Sequence, residues 1–534
     1  SAGQIFQSAV WDFDKKPVAL GGVMYRLLTI AKDTYVQNKI VAGSGSTTSN
    51  VGQAGTLDLF KIWSQTSSGS TPTIELSRLL VQADLSAIRA LTGSQVSISD
   101  PSFKCYLRLK DVYGGQTTPS NFTIVLNPLS KSWDEGRGSD VKAFRDLDAA
   151  NWVTASVANG TPSPWAVTGA GGAGSDYLTS YEAKQTFLRG DEDLLMDVTS
   201  IVSATLAGIL PDYGWRLTYS ASLEEDTNSY FVKRFGTRHT TNNLLHPKLI
   251  FQFSDSVQDN GNQLVFGQAN TVRTYKTVNG QYTNFVSGAS QVTGSNCLML
   301  VLAASKSITI TTSSYFQNFS ASITYRTGSY SYFSASFTGS QSSLLGYLPL
   351  LGYYQASVTL DPGSDAALAS YLGTDKKATF QSYWKSLDGT VMYSSGAFLE
   401  FSLPQSQENV VTERNFVVNV TNLKTDYGST DVARLRVFVQ DRNTELPAFH
   451  VPRPVKSFIC QQMVWRLVNA FSREVVIPFH STATKVSSDG VGMYFDMYMA
   501  DLDTQVVYEL EFKITENGQD YLITGEGFRF KVIP

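Results

Sequence analysis

The sequence predicts an all-β protein built from tandem antiparallel β-sandwich domains, with a few short helices. Short runs that alternate apolar and polar side chains recur along the chain, separated by Gly, Ser, Asn and Asp, and this period of two is typical of half-buried strands. Charged residues make up 16% of the chain and aromatic residues 12%, a balance that favours sheet. The clearest strand-like runs are NFTIVLNP, GWRLTYSAS, HPKLIFQF, FVVNVTNL, ARLRVFVQD and FRFKVIP.

Only two segments carry a clear helical pattern. In DVTSIVSATLAGILPD, apolar residues recur at three- and four-residue spacing behind Asp197, which can cap the helix, and Pro211 ends the run. In GSDAALASYLGTD, Ser364 or Asp365 can cap the start and Gly373 can close the end. Helices this short pack on β domains and do not form the crossovers of an α/β enzyme.

With 534 residues the chain is too long for one ordinary domain. The polar stretch SDSVQDNGNQ follows the strand-like KLIFQF and indicates a linker, and SLPQSQENV indicates a second boundary. We predict a first domain at 1–255, a β-sandwich domain at 256–406 and a related β-sandwich domain at 407–534. We expect the last domain to consist of two layers that are divided at VPRPVKS, where two prolines interrupt the strands.

Charge and hydropathy argue against nucleic-acid and membrane partners. The formal net charge is −4, so no strong field attracts nucleic acid or anionic lipid. The first residues, SAGQIFQSAVWDFDKKP, lack the apolar core of a signal peptide. The most apolar stretch, CLMLVLAASKSITI, is too short and too polar to span a bilayer. We therefore expect a soluble protein.

The three cysteines, Cys105, Cys297 and Cys460, lie far apart and form no CxxC pair. This spacing indicates neither a zinc knuckle nor a disulfide framework. Cys105 lies in the alternating run SFKCYLRLK, on the face that carries the apolar residues. We expect it to be a buried free thiol, which is commoner than a reactive one.

The segment SYFVKRFGTRHTTNNLLHPKLIFQF holds His239 and His246, two of the four histidines. They are separated by a polar loop and have no third ligand at a recognisable spacing, whereas a transition-metal site needs at least three. A structural role at the corner of a sandwich is the preferred interpretation. We expect chelation to leave the thermal stability unchanged.

The same segment carries a small basic cluster of Lys233, Arg234 and Arg238. The cluster is too small for a phosphate track, and no glycine-rich cradle adjoins it. We expect Arg234 and Arg238 to pair with nearby acids such as Glu224 and Glu225, or with carbonyl groups.

No other motif marks a catalytic or metal site. Gly190–Asp197 and Trp133–Asp140 are acidic and contain glycine, but neither fits the twelve-residue calcium loop, so solvated turns are expected. Carboxylates from distant segments could still form a glycosidase pair. No nucleophile elbow, HExxH, P-loop or dinucleotide fingerprint is present. We therefore expect a non-enzymatic protein with no catalytic residue, no cofactor and no metal. Four tryptophans of the first domain are expected in the core rather than on a sugar-binding platform: Trp133, Trp152, Trp165 and Trp215.

Ordered features of the first domain carry a resemblance. A Trp-Asp-Glu follows a strand, then come DVTSIV, the strand GWRL, and a closing strand that a basic loop and a proline precede. Over roughly residues 30–254 this order resembles the DNRLRE-type module, a jelly roll of secreted bacterial and phage proteins that often accompanies carbohydrate-active domains. The resemblance implies a jelly-roll fold for the first domain. The name-giving Asn-Arg-Leu-Arg-Glu string is replaced by ELSRLLVQADL.

Two later segments, Gly352–Leu403 and Gly492–Ile533, share a pattern that indicates a duplicated sandwich domain. Each has a strand ending in Asp, then an alternating strand, a hairpin turn, a return strand, a small glycine-bearing turn and a closing strand. The hairpin turns are Asp388-Gly389 and Asn517-Gly518, which supply positive φ angles.

The alternation within each copy also predicts the faces of the strands. Phe380, Ser382 and Trp384 should lie opposite Gln381, Tyr383 and Lys385; Leu510, Phe512 and Ile514 should face the core, with Glu511, Lys513 and Thr515 outward.

The C-terminal pattern, including RLRVFVQD, MVWRLVNAFSREVVIPF and GMYFDMYMADL, resembles the C-terminal part of structural proteins from tailed bacteriophages. The expected function is a structural component of a tailed-phage virion, such as a decoration, collar, neck or tail protein. It would act through protein–protein assembly with other virion proteins, as a homo-oligomer on a symmetric scaffold. The alternative is a secreted bacterial adhesin or carbohydrate-binding protein at the cell surface. A polysaccharide depolymerase ranks third.

Overall fold

In the computed structural model the chain is all-β, with multiple antiparallel sheets in sandwich- or barrel-like domains, as the sequence predicts. The described residues are 24–92, 96–115, 118–140, 146–254, 256, 264–278, 281–306, 321–325, 331–344, 348–374, 376–403, 414–443, 457–460, 462–488, 492–516 and 518–534. They divide into two compact units. The N-terminal unit contains Tyr25–Phe253 and Asp501–Asp503, and the C-terminal unit contains Ser254–Ala500 and Thr504–Pro534.

The N-terminal unit is built around one large antiparallel sheet. Its strands are β1 (Met24–Gln37), β2 (Ile40–Val41), β3 (Ser44–Gly45), β4 (Thr56–Ser64), β5 (Thr73–Ala83), β6 (Lys104–Leu109), β7 (Phe122–Pro128), β8 (Thr154–Ala158), β9 (Thr161–Pro164), β10 (Ala183–Phe187), β11 (Leu194–Asp197), β12 (Trp215–Tyr219), β13 (Tyr230–Gly236) and β14 (Lys248–Phe253). The large sheet has the order β10-β7-β12-β5-β1-β14-β6-β11, and β4 pairs with both β5 and β13. β2 pairs with β3, and β8 pairs with β9.

Alternation decides which side of each strand is buried. In β6, Cys105, Leu107 and Leu109 are buried and the residues between them are not. The Cys105 thiol is free and fully buried, as expected, and burial raises its pKa. Apolar side chains on one face leave water together, which is the main driving force for forming the sheet.

Three short helices connect the strands of this unit: α1 (Ser86–Leu91), α2 (Thr199–Leu206) and α3 (Ala221–Glu225). The helix predicted behind Asp197 is α2, and the Asp197 carboxylate accepts the backbone N–H of Thr199 at 2.9 Å. Ile201, Val202 and Leu206 are buried, so the predicted helix and its apolar face are confirmed.

The N-terminal unit takes three residues from a distant part of the chain. The Arg26 guanidinium donates to both carboxylate oxygens of Asp501 at 2.6 and 3.0 Å, and the N–H of Leu27 donates to the same carboxylate at 3.0 Å. Both charged side chains are buried. A buried charge is tolerated only when it is paired and hydrogen-bonded in this way.

The first half of the C-terminal unit contains an eight-stranded sheet. Its elements are β15 (Leu264–Val265), β16 (Asn270–Tyr275), β17 (Thr277–Val278), β18 (Gln281–Tyr282), β19 (Val286–Ser287), β20 (Ser290–Gln291), β21 (Leu298–Lys306), β22 (Ala321–Tyr325), β23 (Ser331–Leu344), β24 (Leu348–Val358), α4 (Ala366–Leu372), β25 (Lys377–Lys385) and β26 (Met392–Ser402). The order is β15-β26-β25-β21-β23-β24-β16, with β22 beside β23; β17 pairs with β18, and β19 with β20. The predicted second helix is α4: the Asp365 carboxylate accepts the Leu368 N–H at 2.9 Å, and Gly373 follows with φ +59°.

The second half contains two smaller sheets. Its strands are β27 (Phe416–Val420), β28 (Asp426–Gly428), β29 (Val432–Asp441), β30 (Gln462–Asn469), β31 (Val475–Ile477), β32 (Ser487–Ser488), β33 (Met493–Tyr498), β34 (Val507–Glu516), β35 (Gln519–Ile523) and β36 (Arg529–Ile533). One sheet has the order β27-β29-β33-β32; the other has the order β28-β36-β34-β30-β31, with β35 beside β34. Within the described residues no strand pair links the first half to the second. The three-domain division remains a prediction.

Both predicted hairpins form. β25 and β26 pair antiparallel from Lys385 and Met392, and the turn between them contains Gly389 at φ +74°. β34 and β35 pair from Glu516 and Gln519 around Gly518 at φ +78°. Asn517 itself lies outside the described residues.

Other parts of the predicted repeat differ between the copies. The glycine-bearing turn expected after the first return strand is wrong, because β26 continues through that position to Ser402 as one strand. The preceding strand β24 belongs to the same sheet as its hairpin, whereas β33 belongs to a different sheet from β34 and β35. The hairpins are therefore alike, while the duplication of a whole domain stays a prediction.

The predicted strand faces are confirmed except at one residue. Phe380, Ser382 and Trp384 are buried, as are Leu510, Phe512 and Ile514. Glu511 was expected to face outward, but its carboxylate is fully buried beside the guanidinium groups of Arg466 and Arg473. These ion pairs keep a charged side chain out of water on a face that alternation alone assigns to solvent.

Candidate functional site

A polar groove lies on the outward face of the sheet in the N-terminal unit. Phe122, Ile124 and Leu126 of β7 point into the core, so the intervening residues of that strand face the opposite way. The groove has a volume of about 620 Å³, within the size range of small-molecule sites. Its lining includes Arg78, Thr123, Asn127, Tyr177, Thr179, Glu182, Lys184, Thr186, Arg216, Thr218, Glu224 and Glu225.

Arg216 of β12 forms the floor of the polar groove. Its guanidinium carbon lies 3.5 Å from the centre of the Tyr177 ring, and its Nη1 donates to the carbonyl of Ala170 at 2.8 Å. Its Nε is buried and has no hydrogen-bond partner among the described residues. Burial, together with the charge of Arg78, lowers the pKa of Arg216 to about 10. The floor of the polar groove is therefore a guanidinium whose Nε–H donor makes no hydrogen bond to the described residues.

Arg78 and Glu224 form one wall of the polar groove. The Arg78 guanidinium donates from Nε at 3.1 Å and from Nη2 at 2.7 Å to the two carboxylate oxygens of Glu224. Its Nη1 donates to the carbonyl of Gly169 at 2.8 Å. Because Arg78 is on β5 and Glu224 on α3, this two-pronged pair fixes the helix over the sheet.

The charges of the polar groove balance. Three cations (Arg78, Lys184, Arg216) face three carboxylates (Glu182, Glu224, Glu225). Hydroxyl and amide groups supply most of the other polar atoms. A balanced surface rich in hydrogen-bonding groups suits an uncharged polyhydroxylated ligand better than a polyanion, for which an excess of positive charge is needed.

The structure gives Lys233 a structural role. Its side chain is completely buried, and its ammonium donates to the Asp111 carboxylate at 2.5 Å and to the carbonyls of Gly190 and Glu192 at 2.7 and 2.8 Å. An ammonium has three donors, and all three are used.

The two arginines of the basic cluster pair with acids, but not with the acids expected. Arg234 donates to both oxygens of Asp58 at 2.8 Å. Arg238 donates to Glu135, from Nε at 2.9 Å and also from Nη2. The predicted partners, Glu224 and Glu225, were wrong. The Glu224 carboxylate forms its ion pair with Arg78 instead. Asp58 and Glu135 are far from the arginines in sequence and come close only through strand pairing and a long loop.

The two histidines of the segment are separated. The His246 Nε2 lies 3.0 Å from the carbonyl oxygen of Thr240. The His239 Nε2 lies 3.5 Å from a carboxylate oxygen of Glu135. The two imidazoles therefore belong to different surroundings, and His239 has an acidic neighbour that sequence spacing did not reveal.

The two acidic stretches contain hydrogen-bonded and ion-paired carboxylates. In Gly190–Asp197, the Glu192 carboxylate accepts the backbone N–H groups of Leu188, Arg189 and Gly190 at 2.7–3.0 Å, and the stretch continues into β11. In Trp133–Asp140, Glu135 pairs with Arg238. The expected core tryptophans are confirmed, because all four are buried: Trp133, Trp152, Trp165 and Trp215.

Sequence reasoning missed the polar groove. Arg216 lies in the quoted strand GWRL, and a charged residue between apolar neighbours was the one local signal. Tyr177 lies in a loop with no motif, so its contact with Arg216 could not be found from spacing.

The fold and groove define an all-β protein with a polar groove on its N-terminal unit, and comparisons add little to this. No family model matches the chain, and no curated protein matches it. Among solved structures, an ICAM-5 D1–D4 ectodomain fragment is 9% identical, with 97% of this chain and 96% of that chain covered, at a TM-score of 0.11. A likeness this weak carries no argument. Among the described helices, none has the length and apolar character needed to cross a membrane.

Proposed function

We propose that this chain is a non-enzymatic structural component of a tailed-phage virion that acts through protein–protein assembly. The all-β sandwich architecture supports this proposal, because such domains form rigid bodies whose faces and edges can join to other chains. The partners are other virion proteins, including further copies of this chain.

The observation that carries the proposal is an exposed apolar surface at the β25–β26 hairpin. We call Leu387, Val391 and Met392, which lie close together in sequence on this hairpin, the hairpin patch. Their exposed fractions are 56%, 40% and 54%. Leu387 also lines a shallow depression. Large apolar side chains grouped on a surface mark protein contact sites.

Locating the chain in native particles tests this function. Purified virions would be analysed by mass spectrometry and labelled with gold-conjugated antibody against the chain. We expect the chain at a fixed stoichiometry and the label at one symmetric substructure. A chain found only as a free, secreted monomer would overturn the proposal.

The polar groove favours a second candidate, carbohydrate binding. It combines a buried arginine, a tyrosine ring and many hydroxyl groups on a rigid sheet, and its charges cancel. Sugars are recognised by such hydrogen-bonding side chains beside aromatic rings. This function is compatible with a virion location or with an adhesin at the cell surface.

A neutral-glycan array with the full chain tests the second candidate. Thr186→Trp should abolish binding, because Thr186 is exposed and its replacement fills the polar groove without touching the core. Lys104→Trp adds the same side chain at an exposed strand position outside the groove and should bind like the parent. Binding that is lost in both variants or in neither would exclude the groove.

A further inference from the structure

Three chain segments bring Asp33, Glu135 and His239 together in the N-terminal unit. Asp33 lies in β1, Glu135 in the loop after β7, and His239 between β13 and β14. One ligand atom from each residue lies within 4.8 Å of the other two. We call these residues the acid–histidine cluster. The sequence analysis set aside a metal at His239 because no third ligand was recognisable, and the fold supplies two carboxylates.

Two atoms of the acid–histidine cluster are unsatisfied. Asp33 is completely buried, yet its Oδ1 has no hydrogen-bond partner within the described part of the chain, and the same holds for the Nε2 of His239. Leaving one buried polar atom unpaired costs on the order of 1–3 kcal/mol. Two such atoms within one cluster indicate that a further group satisfies both.

The hydrogen bonds around the acid–histidine cluster hold the carboxylates in place. The second Asp33 oxygen accepts the backbone N–H of Arg238 at 2.7 Å. One Glu135 oxygen accepts the backbone N–H of Asp33 at 2.8 Å and the Arg238 Nε at 2.9 Å. Such outer bonds orient metal-ligating carboxylates.

The charge of the acid–histidine cluster is also unbalanced. Two carboxylates face one guanidinium, that of Arg238. The nearby Lys32 ammonium donates to the carbonyl of Trp133 at 3.2 Å. A bound cation would offset this excess of negative charge.

We propose that Asp33, Glu135 and His239 bind a divalent transition-metal ion of the Zn²⁺ type. Imidazole and carboxylate are ligands that Zn²⁺ accepts, at about 2.0–2.2 Å. Tetrahedral bonds of that length place ligand atoms about 3.4 Å apart, and the His239 Nε2 lies 3.5 Å from Glu135 Oε1. The ion joins three segments that are more than a hundred residues apart, so its role is to tie β1 to the loops beside it.

Metal titration of the full chain tests the proposal. Chelator-treated protein would be titrated with ZnCl₂ by calorimetry, and its thermal unfolding followed with and without Zn²⁺. We expect one saturable site and a rise in Tm. Asp33→Asn and His239→Gln should each weaken binding at least about tenfold.

A matched control and a spectroscopic readout separate metal binding from misfolding. His246→Gln should bind like the parent, because His246 lies outside the acid–histidine cluster. Co²⁺ should give the visible absorption of a tetrahedral site in the parent and in His246→Gln, but not in His239→Gln, with circular dichroism unchanged in all three. No saturable binding, or binding indifferent to Asp33→Asn and His239→Gln, would overturn the proposal in favour of a proton shared by Asp33 and His239.

Discussion

At the scale of single residues, the basic segment before the last strand of the N-terminal unit is mainly an internal ion-pair network. Lys233, Arg234 and Arg238 each have a carboxylate partner. Lys233 is the most deeply buried of the three, and aromatic rings of Phe187 and Phe235 surround its ammonium at 5.2 and 5.0 Å. Charge in this segment therefore stabilises the fold.

Replacing Lys233 with Met should destabilise the N-terminal unit by about 3–5 kcal/mol. The change removes the cation and leaves the Asp111 carboxylate and two carbonyls without their donor, which costs more than the pair itself contributes. Urea unfolding followed by tryptophan fluorescence measures the loss. Lys104→Met, at an exposed position of β6, should shift the midpoint very little. Equal effects of the two variants would show that the buried pair is not important.

Asp33 should make stability depend on pH in metal-free buffer. Burial raises its pKa from 3.8 to about 7, so ionisation is harder in the folded state than in the unfolded state. The contribution is fully favourable below pH 4 and is lost as the pH rises to about 7. Asp33→Asn cannot ionise, so above pH 7 it should be more stable than the parent, by up to about 4 kcal/mol.

Unfolding curves at pH 5 and pH 8, with chelator present, check this prediction. The difference between parent and Asp33→Asn should be larger at pH 8. If Zn²⁺ is added, the order at pH 8 should reverse, because the metal stabilises only the parent. A difference that does not change with pH would mean that Asp33 is ionised throughout the range.

At the scale of elements, the two hairpins depend on backbone geometry at one glycine each. Gly518 has φ +78°, and a Cβ there would meet no atom within 4 Å. Gly518→Val should therefore destabilise the C-terminal unit by about 1–3 kcal/mol through backbone strain alone. Gly55→Val also has open space, but its φ lies outside the left-handed region, so it should have little effect. Chemical denaturation of both variants measures the difference.

Local signals predicted most elements correctly. The Asp-Gly turn, the cap at Asp365 and the glycine after α4 each act within a few residues, so they can be read from the sequence. Glu511 could not be placed, because its burial depends on Arg473, which approaches from another strand connection. Likewise, a glycine that would ordinarily indicate a turn lies within β26, which continues to Ser402 as one strand. Tertiary contacts decide such positions.

At the scale of the whole molecule, the hairpin patch should control assembly. Leu387→Ser with Met392→Ser should reduce binding to virion particles at least about tenfold, since central apolar contacts dominate interface energy. Both residues are exposed, so the stability of the isolated chain should stay within about 0.5 kcal/mol. Co-sedimentation with particles measures the binding.

Two exposed apolar residues elsewhere provide the control. Leu195 and Ile209 are 54% and 69% exposed and lie in the N-terminal unit. Their double replacement by Ser should leave co-sedimentation unchanged. A loss of binding in this control as large as in the hairpin-patch variant would show general surface stickiness instead of a specific contact.

The sequence predicted the fold class but neither candidate site. Alternation and composition are averaged over many residues, so they determine an all-β fold reliably. The polar groove and the acid–histidine cluster each need side chains from three or more distant segments, and their proximity follows from strand order. Strand order is set by long-range pairing, which a single sequence does not reveal.

The inclusion of Asp501–Asp503 in the N-terminal unit has a consequence for synthesis. Arg26 and Asp501 are 475 positions apart, so a ribosome that elongates at ordinary rates needs roughly 25–95 s to deliver the carboxylate after the arginine has been made. During that interval the β1 strand cannot form the ion pair between Arg26 and Asp501 that secures its N-terminal end. The N-terminal unit therefore reaches its final stability only after Asp501 has been made, and a nascent chain stalled before Asp501 should be more sensitive to protease near β1 than the released protein.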